Sequence, residues 1–236
     1  MTDLDGARVL LTGAGGGLGR PIAARLAAAG ARLVLSGRDR ARLEGLPGHP
    51  VTGDLRLPDG PGAVVAAAVA HLGGLDGLVH AAGVVAFGPV EEADDDLLDE
   101  LFLADALGPV RLLRAAVPHL RAAARERPGA FAALVSAVVA EQPVAGMAAY
   151  SAAKAALSAF AGAAGRELRR DGVRVLDVRP PHTETGLAGR PVAGTAPRLP
   201  TGLDPDAVAE RVVRAIAGDE RDLPASAFGR PASAPG

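Results

Sequence analysis

Short aliphatic runs alternate with Ala-rich helical stretches along most of this chain, and this alternation restricts its fold more than any other feature. The runs that predict strands cover 8–12, 32–36, 50–53, 77–81, 131–136 and 173–179. The stretches that predict helices cover 18–29, a short segment ending near 45, 61–72, 92–104, 109–125 and 149–170. Strands separated by helices pair in parallel through crossover connections. The pattern predicts one α/β domain over 1–236, with helices on both faces of a parallel sheet.

The composition narrows the possible partners of such a domain. Hydrophobic residues make up 49% of the chain and aromatic residues only 3%, so the core must be aliphatic. A formal net charge of −2 gives no electrostatic reason to expect nucleic acid or an anionic membrane as a partner. The chain has no cysteine, which excludes thiolate metal sites and cysteine nucleophiles. With no signal-peptide pattern and no apolar run near the ~20 residues of a membrane span, we expect a cytoplasmic protein with a small-molecule substrate.

One segment, 186–202, is too rich in glycine and proline for regular structure. A long irregular insert after the carboxyl end of a strand is often a functional loop in α/β proteins. We expect it to be a loop or lid on the substrate side, and a passive surface loop is the alternative.

A glycine-rich turn, TGAGGGLG over 12–19, follows the first strand and opens the first helix. Glycines there allow the backbone to turn sharply and to approach a pyrophosphate, whose charge the helix N-terminal amides stabilise. A tight turn that binds nothing is the alternative. The strand–turn–helix context favours a dinucleotide site.

The only tyrosine of the chain, Tyr150, lies four residues before Lys154 in a predicted helix. Residues at this spacing share one face of a helix, so the ammonium should lie beside the phenol. A neighbouring cation favours the phenolate and should lower the tyrosine pKa, which would make Tyr150 an acid or base near neutral pH. Alone, the spacing is also typical of a solvated helix face.

Several motifs in one order resemble those of the short-chain dehydrogenase/reductase superfamily. They are TGxxxGxG over 12–19, HAAG over 80–83, YxxxK from Tyr150 to Lys154, and Arg179-Pro180 after the sixth strand. Order and spacing agree from about residue 7 to residue 185. The resemblance implies a Rossmann-type, doubly wound sheet that binds NAD(H) or NADP(H). It also implies hydride transfer to or from a carbonyl or alcohol carbon.

The resemblance also implies roles for individual residues. Tyr150 would be the proton donor, and Lys154 would in addition bond the nicotinamide ribose. The implied cofactor-binding set is Gly13, Gly15, Gly17, Leu18, Gly19, Arg38, Asp54, Leu55, Ala81, Ala82, Gly83, Tyr150, Lys154, Pro180, Thr183 and Thr185. No metal site is expected, and the acidic run 94–96 is interpreted as the first turn of a helix.

The residues after the second strand favour NADP(H) over NAD(H). Gly37 stands where family members that prefer NAD(H) carry Asp, so no carboxylate would repel a 2'-phosphate there. Arg38 follows and can pair with that phosphate. The alternative is that Arg38 only solvates a turn.

Two positions depart from the family pattern in its catalytic residues. The catalytic Ser of the family falls on Ala137, with Ser136 one position earlier, and its Asn falls on Asp105. Consecutive strand residues face opposite sides, so Ser136 could replace the missing hydroxyl only through a local bulge. The candidate catalytic set is therefore Tyr150, Lys154, Ser136 and Asp105.

Other departures lie near the carboxyl ends of the strands. Pro181 replaces the usual glycine after Arg179-Pro180, and the last strand of the family is hard to identify in 222–228. Glu141, Gln142 and His182 are loop residues that could compensate for the missing hydroxyl.

We expect an NADP(H)-dependent oxidoreductase that acts on a carbonyl or alcohol of a small, mostly apolar metabolite. The alternative is a dinucleotide-binding fold whose redox site has decayed, with a regulatory or non-redox role such as that of a cyclase or dehydratase. A homodimer or homotetramer is expected, because the family pairs the helices predicted at 109–125 and 149–170 across a two-fold axis.

Overall fold

The computed structural model describes residues 1–229, and its seven strands form one parallel sheet. The strand order is β3-β2-β1-β4-β5-β6-β7. The strands are β1 (Arg8–Thr12), β2 (Arg32–Gly37), β3 (His49–Thr52), β4 (Gly77–His80), β5 (Phe131–Val135), β6 (Arg174–Val178) and β7 (Asp222–Leu223). The predicted doubly wound α/β sheet is therefore confirmed.

Six α-helices connect or flank the strands within the described residues. They are α1 (Gly19–Ala28), α2 (Gly60–Leu72), α3 (Asp95–Phe102), α4 (Gly108–Glu126), α5 (Ala148–Leu168) and α6 (Pro205–Ala217). A single π-helical turn, Leu103–Leu107, joins α3 to α4. At the start of α3, Asp94 accepts a hydrogen bond from the backbone N–H of Leu97, as expected for a helix cap.

The alternation of side chains along each strand divides the core between the two faces of the sheet. Leu11 on β1 belongs to the cluster that α1 and α6 cover, whereas its neighbour Leu10 belongs to the cluster under α2, α4 and α5. Leu10, Leu11, Ile22 and Leu112 are fully buried. Aliphatic side chains thus hold a helical layer on each side.

Three local features differ from the sequence-based expectations. The short helix expected before 45 is a series of turns, because so few residues do not offset the cost of helix nucleation. The last strand exists as β7 but has only two residues, since Pro224 follows and has no N–H for the ladder. Helix α6 was not predicted from the sequence. It begins with Asp204 as its cap and Pro205 at its first position.

The direction in which successive strands are added to the sheet reverses between β1 and β4. Strands β2 and β3 lie on one side of β1, and strands β4 to β7 lie on the other. In open α/β sheets the crevice at such a reversal, outside the carboxyl ends of the strands, is where ligands bind. Within residues 1–229, no helix is long and apolar enough to cross a membrane.

Candidate active site

A cleft of about 650 Å³ opens at this reversal point. Its walls are the glycine-rich turn, the carboxyl ends of the central strands, the start of α5 and part of the segment 186–202. One region of the lining is apolar and is formed by Phe87, Val144, Met147, Leu187, Val192 and Leu199. A volume of this size is typical of small-molecule and cofactor sites.

The glycines of the turn leave no room for side chains. A Cβ on Gly13, whose φ is +76°, would lie 2.4 Å from the backbone nitrogen of Ala82. A Cβ on Gly17 would lie 2.3 Å from the carbonyl oxygen of Thr185. The turn therefore packs closely between β4 and the segment after β6. Among the described residues, no side chain caps the N-terminus of α1, so this cradle suits the phosphates of a dinucleotide.

The structure brings nearly all the sequence-predicted cofactor residues together around this cleft. Those that line it are Gly13, Gly15, Gly17, Leu18, Arg38, Asp54, Leu55, Ala81, Ala82, Gly83, Tyr150, Lys154, Pro180, Thr183 and Thr185. Gly19 does not. It is buried behind the turn, where a Cβ would lie 2.1 Å from the Gly13 carbonyl oxygen, so its place in the fold is to close the turn.

Beyond β2 the cleft is lined by basic side chains. Within residues 1–229, Arg38 and Arg42 have no carboxylate within salt-bridge distance, whereas Asp54 is paired with Arg56. This pairing lowers the pKa of Asp54. Arg56 also reaches Glu100, at 2.7 Å. Arg42 was not among the residues predicted from the sequence, although its position four residues after Arg38 was an available signal.

The first two turns of α5 place Tyr150 and Lys154 at the cleft. Both side chains are almost completely buried, and the Lys154 Nζ lies 5.8 Å from the centroid of the Tyr150 ring. Tyr150 and Lys154 therefore lie on the same face of α5, as their spacing predicts.

The ammonium of Lys154 is held by a carboxylate. Asp105 lies on the π-helical turn with no exposed surface, and its Oδ1 is 3.2 Å from the Lys154 Nζ. The backbone N–H of Val84 donates to the same oxygen at 3.1 Å. A Cβ on Gly83 would lie 2.7 Å from Asp105 Oδ1 and 3.0 Å from Lys154 Nζ, so this glycine allows the pair to form.

The expected lowering of the Tyr150 pKa is wrong for this structure. Burial raises the pKa of Tyr150 far above its usual range, and the negative charge of Asp105 adds to the rise. Burial also raises the pKa of Asp105, and the Lys154 ammonium opposes that rise. Lys154 is therefore paired with Asp105, and the sequence spacing alone could not indicate this.

A buried histidine adjoins the same ammonium. His80, at the end of β4, has no exposed surface, and burial together with the Lys154 charge lowers its pKa to about 3. Its Nδ1 lies 2.9 Å from the Thr12 hydroxyl, which connects the ends of β1 and β4. The imidazole is therefore neutral.

The structure gives the hydroxyl of Ser136, a candidate catalytic group, a partner other than Tyr150. The Ser136 hydroxyl is buried and donates to Asp177 on β6 at 2.8 Å. Ala137, by contrast, packs against the apolar cluster that contains Tyr150. Ser136 also borders the cleft, but its hydrogen is already donated away from the tyrosine.

The hydrogen bonds beyond β5 explain this orientation. The backbone N–H of Ser136 donates to Val178, and that of Val138 donates to Pro180, which continues the regular pairing with β6. No extra residue interrupts the alternation here, so the bulge that would turn Ser136 toward Tyr150 is not formed.

Of the loop residues that could compensate, one lines the cleft. His182 does so, with its Nε2 3.5 Å from the Glu184 carboxylate. Glu141 instead binds the guanidinium of Arg179, and Gln142 is exposed outside the lining.

Comparison with known proteins identifies the class to which this fold and site belong. The family model for short chain dehydrogenases matches residues 7–194. A dehydrogenase/reductase SDR family protein 7-like from Anopheles gambiae is 28% identical, over 93% of this chain and 75% of that protein. An uncharacterized oxidoreductase from Methylorubrum extorquens is 31% identical, over 93% of this chain and 94% of its own.

Solved structures agree. A short chain dehydrogenase from Burkholderia cenocepacia, in complex with NADP, has a TM-score of 0.81 and 25% identity, covering 97% of this chain and 100% of its own. A 3-ketoacyl-(acyl-carrier-protein) reductase from Brucella melitensis, complexed with NADH, has a TM-score of 0.85 and 24% identity, covering 96% of this chain and 100% of its own. The latter shows the fold alone.

The chain belongs to the short-chain dehydrogenase/reductase family, and the resemblance of its motifs is confirmed. It is an oxidoreductase of this family, and the similar structure from Burkholderia cenocepacia is in complex with NADP.

The vacant hydroxyl position at Ala137 generates a prediction. Ala137→Ser should raise the rate of ketone reduction by up to ~10²-fold, because it restores one donor to the substrate oxygen. Steady-state rates with a generic ketone and NADPH measure this.

Ser136→Ala is the matched control and should leave the turnover number about unchanged, since its hydroxyl donates to Asp177. Loss of activity in Ser136→Ala, with no gain in Ala137→Ser, would contradict the assignment.

Proposed function

We propose that this protein is an NADP(H)-dependent oxidoreductase for a carbonyl or alcohol carbon of a small, mostly apolar metabolite. The observation that carries the proposal is the placement of Tyr150 and Lys154 in a cleft that also holds unpaired basic side chains. Arg38 and Arg42 suit a 2'-phosphate, and the glycine turn suits the pyrophosphate.

The chemistry divides between the cofactor and this chain. A bound nicotinamide supplies or accepts a hydride, which is one hydrogen nucleus with two electrons. In reduction, Tyr150 donates its phenolic proton to the carbonyl oxygen, which becomes the hydroxyl of the product, and the phenolate is reprotonated from water. In oxidation the phenolate takes that proton back. Lys154 would bind the ribose beside this phenol.

The lining of the cleft supports an apolar substrate. Phe87, Val144 and Met147 line the cleft together with Tyr150, and Val144 is half exposed. The segment 186–202 contributes Leu187, Val192 and Leu199. Backbone hydrogen bonds fix part of it to the residues after β4, as in the bond from Val192 to Val85 at 2.8 Å. We assign this segment as the lid over the substrate.

We also propose a homodimer or homotetramer built on α4 and α5. Ala152, Ala156 and Ala159 are exposed on α5, and such small side chains allow close approach of a second copy in an isologous contact. Light scattering at micromolar concentration should report two or four copies, and a monomer would contradict this. A cytoplasmic location fits a chain without cysteine.

The proposed reaction predicts the effect of removing one oxygen atom from the site. Tyr150→Phe should lower the turnover of NADPH with a panel of small ketones and aldehydes by ~10²-fold or more, since it removes the proton donor. The affinity for NADPH, measured by calorimetry, should be retained because the ring remains.

Full activity in Tyr150→Phe would place the proton transfer elsewhere. Tight binding of NADPH with no turnover on any carbonyl, in wild-type protein, would favour the alternative of a dinucleotide-binding protein without redox activity.

The basic end of the cleft predicts cofactor preference. Arg38→Ala should weaken NADPH binding roughly ten-fold or more and leave NADH binding unchanged, since charge-assisted hydrogen bonds contribute about 1.5–3 kcal/mol. Calorimetric titration of both cofactors measures this.

Arg40→Ala is the matched control, because Arg40 is exposed and outside the cleft lining. Equal affinities of the wild-type protein for NADPH and NADH, or no effect of Arg38→Ala, would contradict the preference.

A further inference from the structure

We propose that Asp105 is a positioning residue that acts through Lys154. Its carboxylate holds the Lys154 ammonium in a buried ion pair, and this pairing weakens the stabilisation that the ammonium would give to a Tyr150 phenolate. The consequence for the direction of the reaction rests on the proposed function, whereas the ion pair and its effect on the tyrosine do not.

The first support for this proposal is the burial of both partners. Asp105 has no exposed surface, and Lys154 has 4%. Charges removed from water remain ionised only when they are paired, and each of these groups has the other within 3.2 Å.

The second support is the shortage of other donors around Asp105. Its Oδ1 accepts one backbone hydrogen bond, from Val84, and its Oδ2 is buried with no hydrogen-bond partner within residues 1–229. A carboxylate stabilised by a network of donors would need Lys154 less. Here the ammonium is the main group that stabilises the negative charge.

The third support is the state of the other titratable groups on the elements packed around this pair. His80 on β4 is neutral. Glu100 on α3 is bound by Arg56. On β6, Asp177 binds Arg179 and accepts from Ser158 of α5. Among the described residues, Lys154 and Asp105 are therefore the charges that act most directly on Tyr150.

A neutral pair beside the tyrosine has a chemical consequence. The phenol keeps its proton at neutral pH, so Tyr150 is ready to donate it to a carbonyl oxygen. Oxidation of an alcohol needs the phenolate and becomes efficient only at alkaline pH. The site is therefore set for carbonyl reduction, and with an amide at position 105 the Tyr150 phenolate would become the anion that pairs with the Lys154 ammonium.

The composition of the chain allows a direct test. Tyr150 is the only tyrosine and there is no tryptophan, so the near-ultraviolet absorbance of tyrosinate reports this one side chain. We expect the ionisation midpoint of cofactor-free Asp105→Asn to lie about one to three pH units below that of the wild-type protein, the range typical of a neighbouring charge. Circular dichroism at each pH confirms that the protein is folded.

Three further variants make the test specific. Tyr150→Phe should abolish the signal. Asp99→Asn removes the same charge from an exposed position on α3 and should leave the midpoint unchanged. In a Lys154→Met background, Asp105→Asn should shift the midpoint less than in the wild-type background, because only the direct repulsion between the Asp105 carboxylate and the phenolate is then removed.

An unchanged or higher midpoint in Asp105→Asn would overturn the proposal, and so would an equal shift in the Lys154→Met background. Asp105→Ser removes the same charge and replaces Asp105→Asn if the latter does not fold. Because the titration needs neither cofactor nor turnover, its result is independent of whether the proposed NADP(H)-dependent reaction is correct.

Discussion

The ion pair between Asp105 and Lys154 is the interaction on which the organisation of this site depends. It joins the π-helical turn before α4 to the first turns of α5, directly behind Gly83 at the end of β4. Removing one partner from a buried pair typically costs about 3–5 kcal/mol, because the other charge is left without compensation. The pair therefore fixes the position of the ammonium that both the tyrosine and a bound ribose would use.

The fold and much of the site could be predicted from local sequence patterns. Leu10 and Leu11 show the alternation of a buried strand, and the glycines at 13 and 17 stand where a Cβ would collide with the ends of neighbouring segments. Helix α6 was accessible in the same way, since Asp204-Pro205 is a typical helix start.

The electrostatics of the site could not be predicted this way. The spacing of Tyr150 and Lys154 correctly indicates one helix face, but the effect of the lysine depends on a carboxylate 49 positions earlier in the sequence (154 − 105) that reaches it only through the fold. The orientation of Ser136 also depends on a distant residue, since Asp177 on β6 accepts its hydrogen. Burial and partners set these properties, and neither is a local feature of the sequence.

In the proposed reaction, the two departures from the family pattern affect the same substrate oxygen. Ala137 would leave that oxygen with one donor fewer, and Asp105 would keep Tyr150 protonated, so Tyr150 would carry the interaction with it. The charge state of Asp105 is the central claim, and an infrared difference spectrum between wild-type protein and Asp105→Asn at neutral pH measures it directly. The account predicts that the carboxylate stretching bands of an ionised Asp105 appear in that difference. The carbonyl band of a protonated carboxylic acid in their place would contradict it.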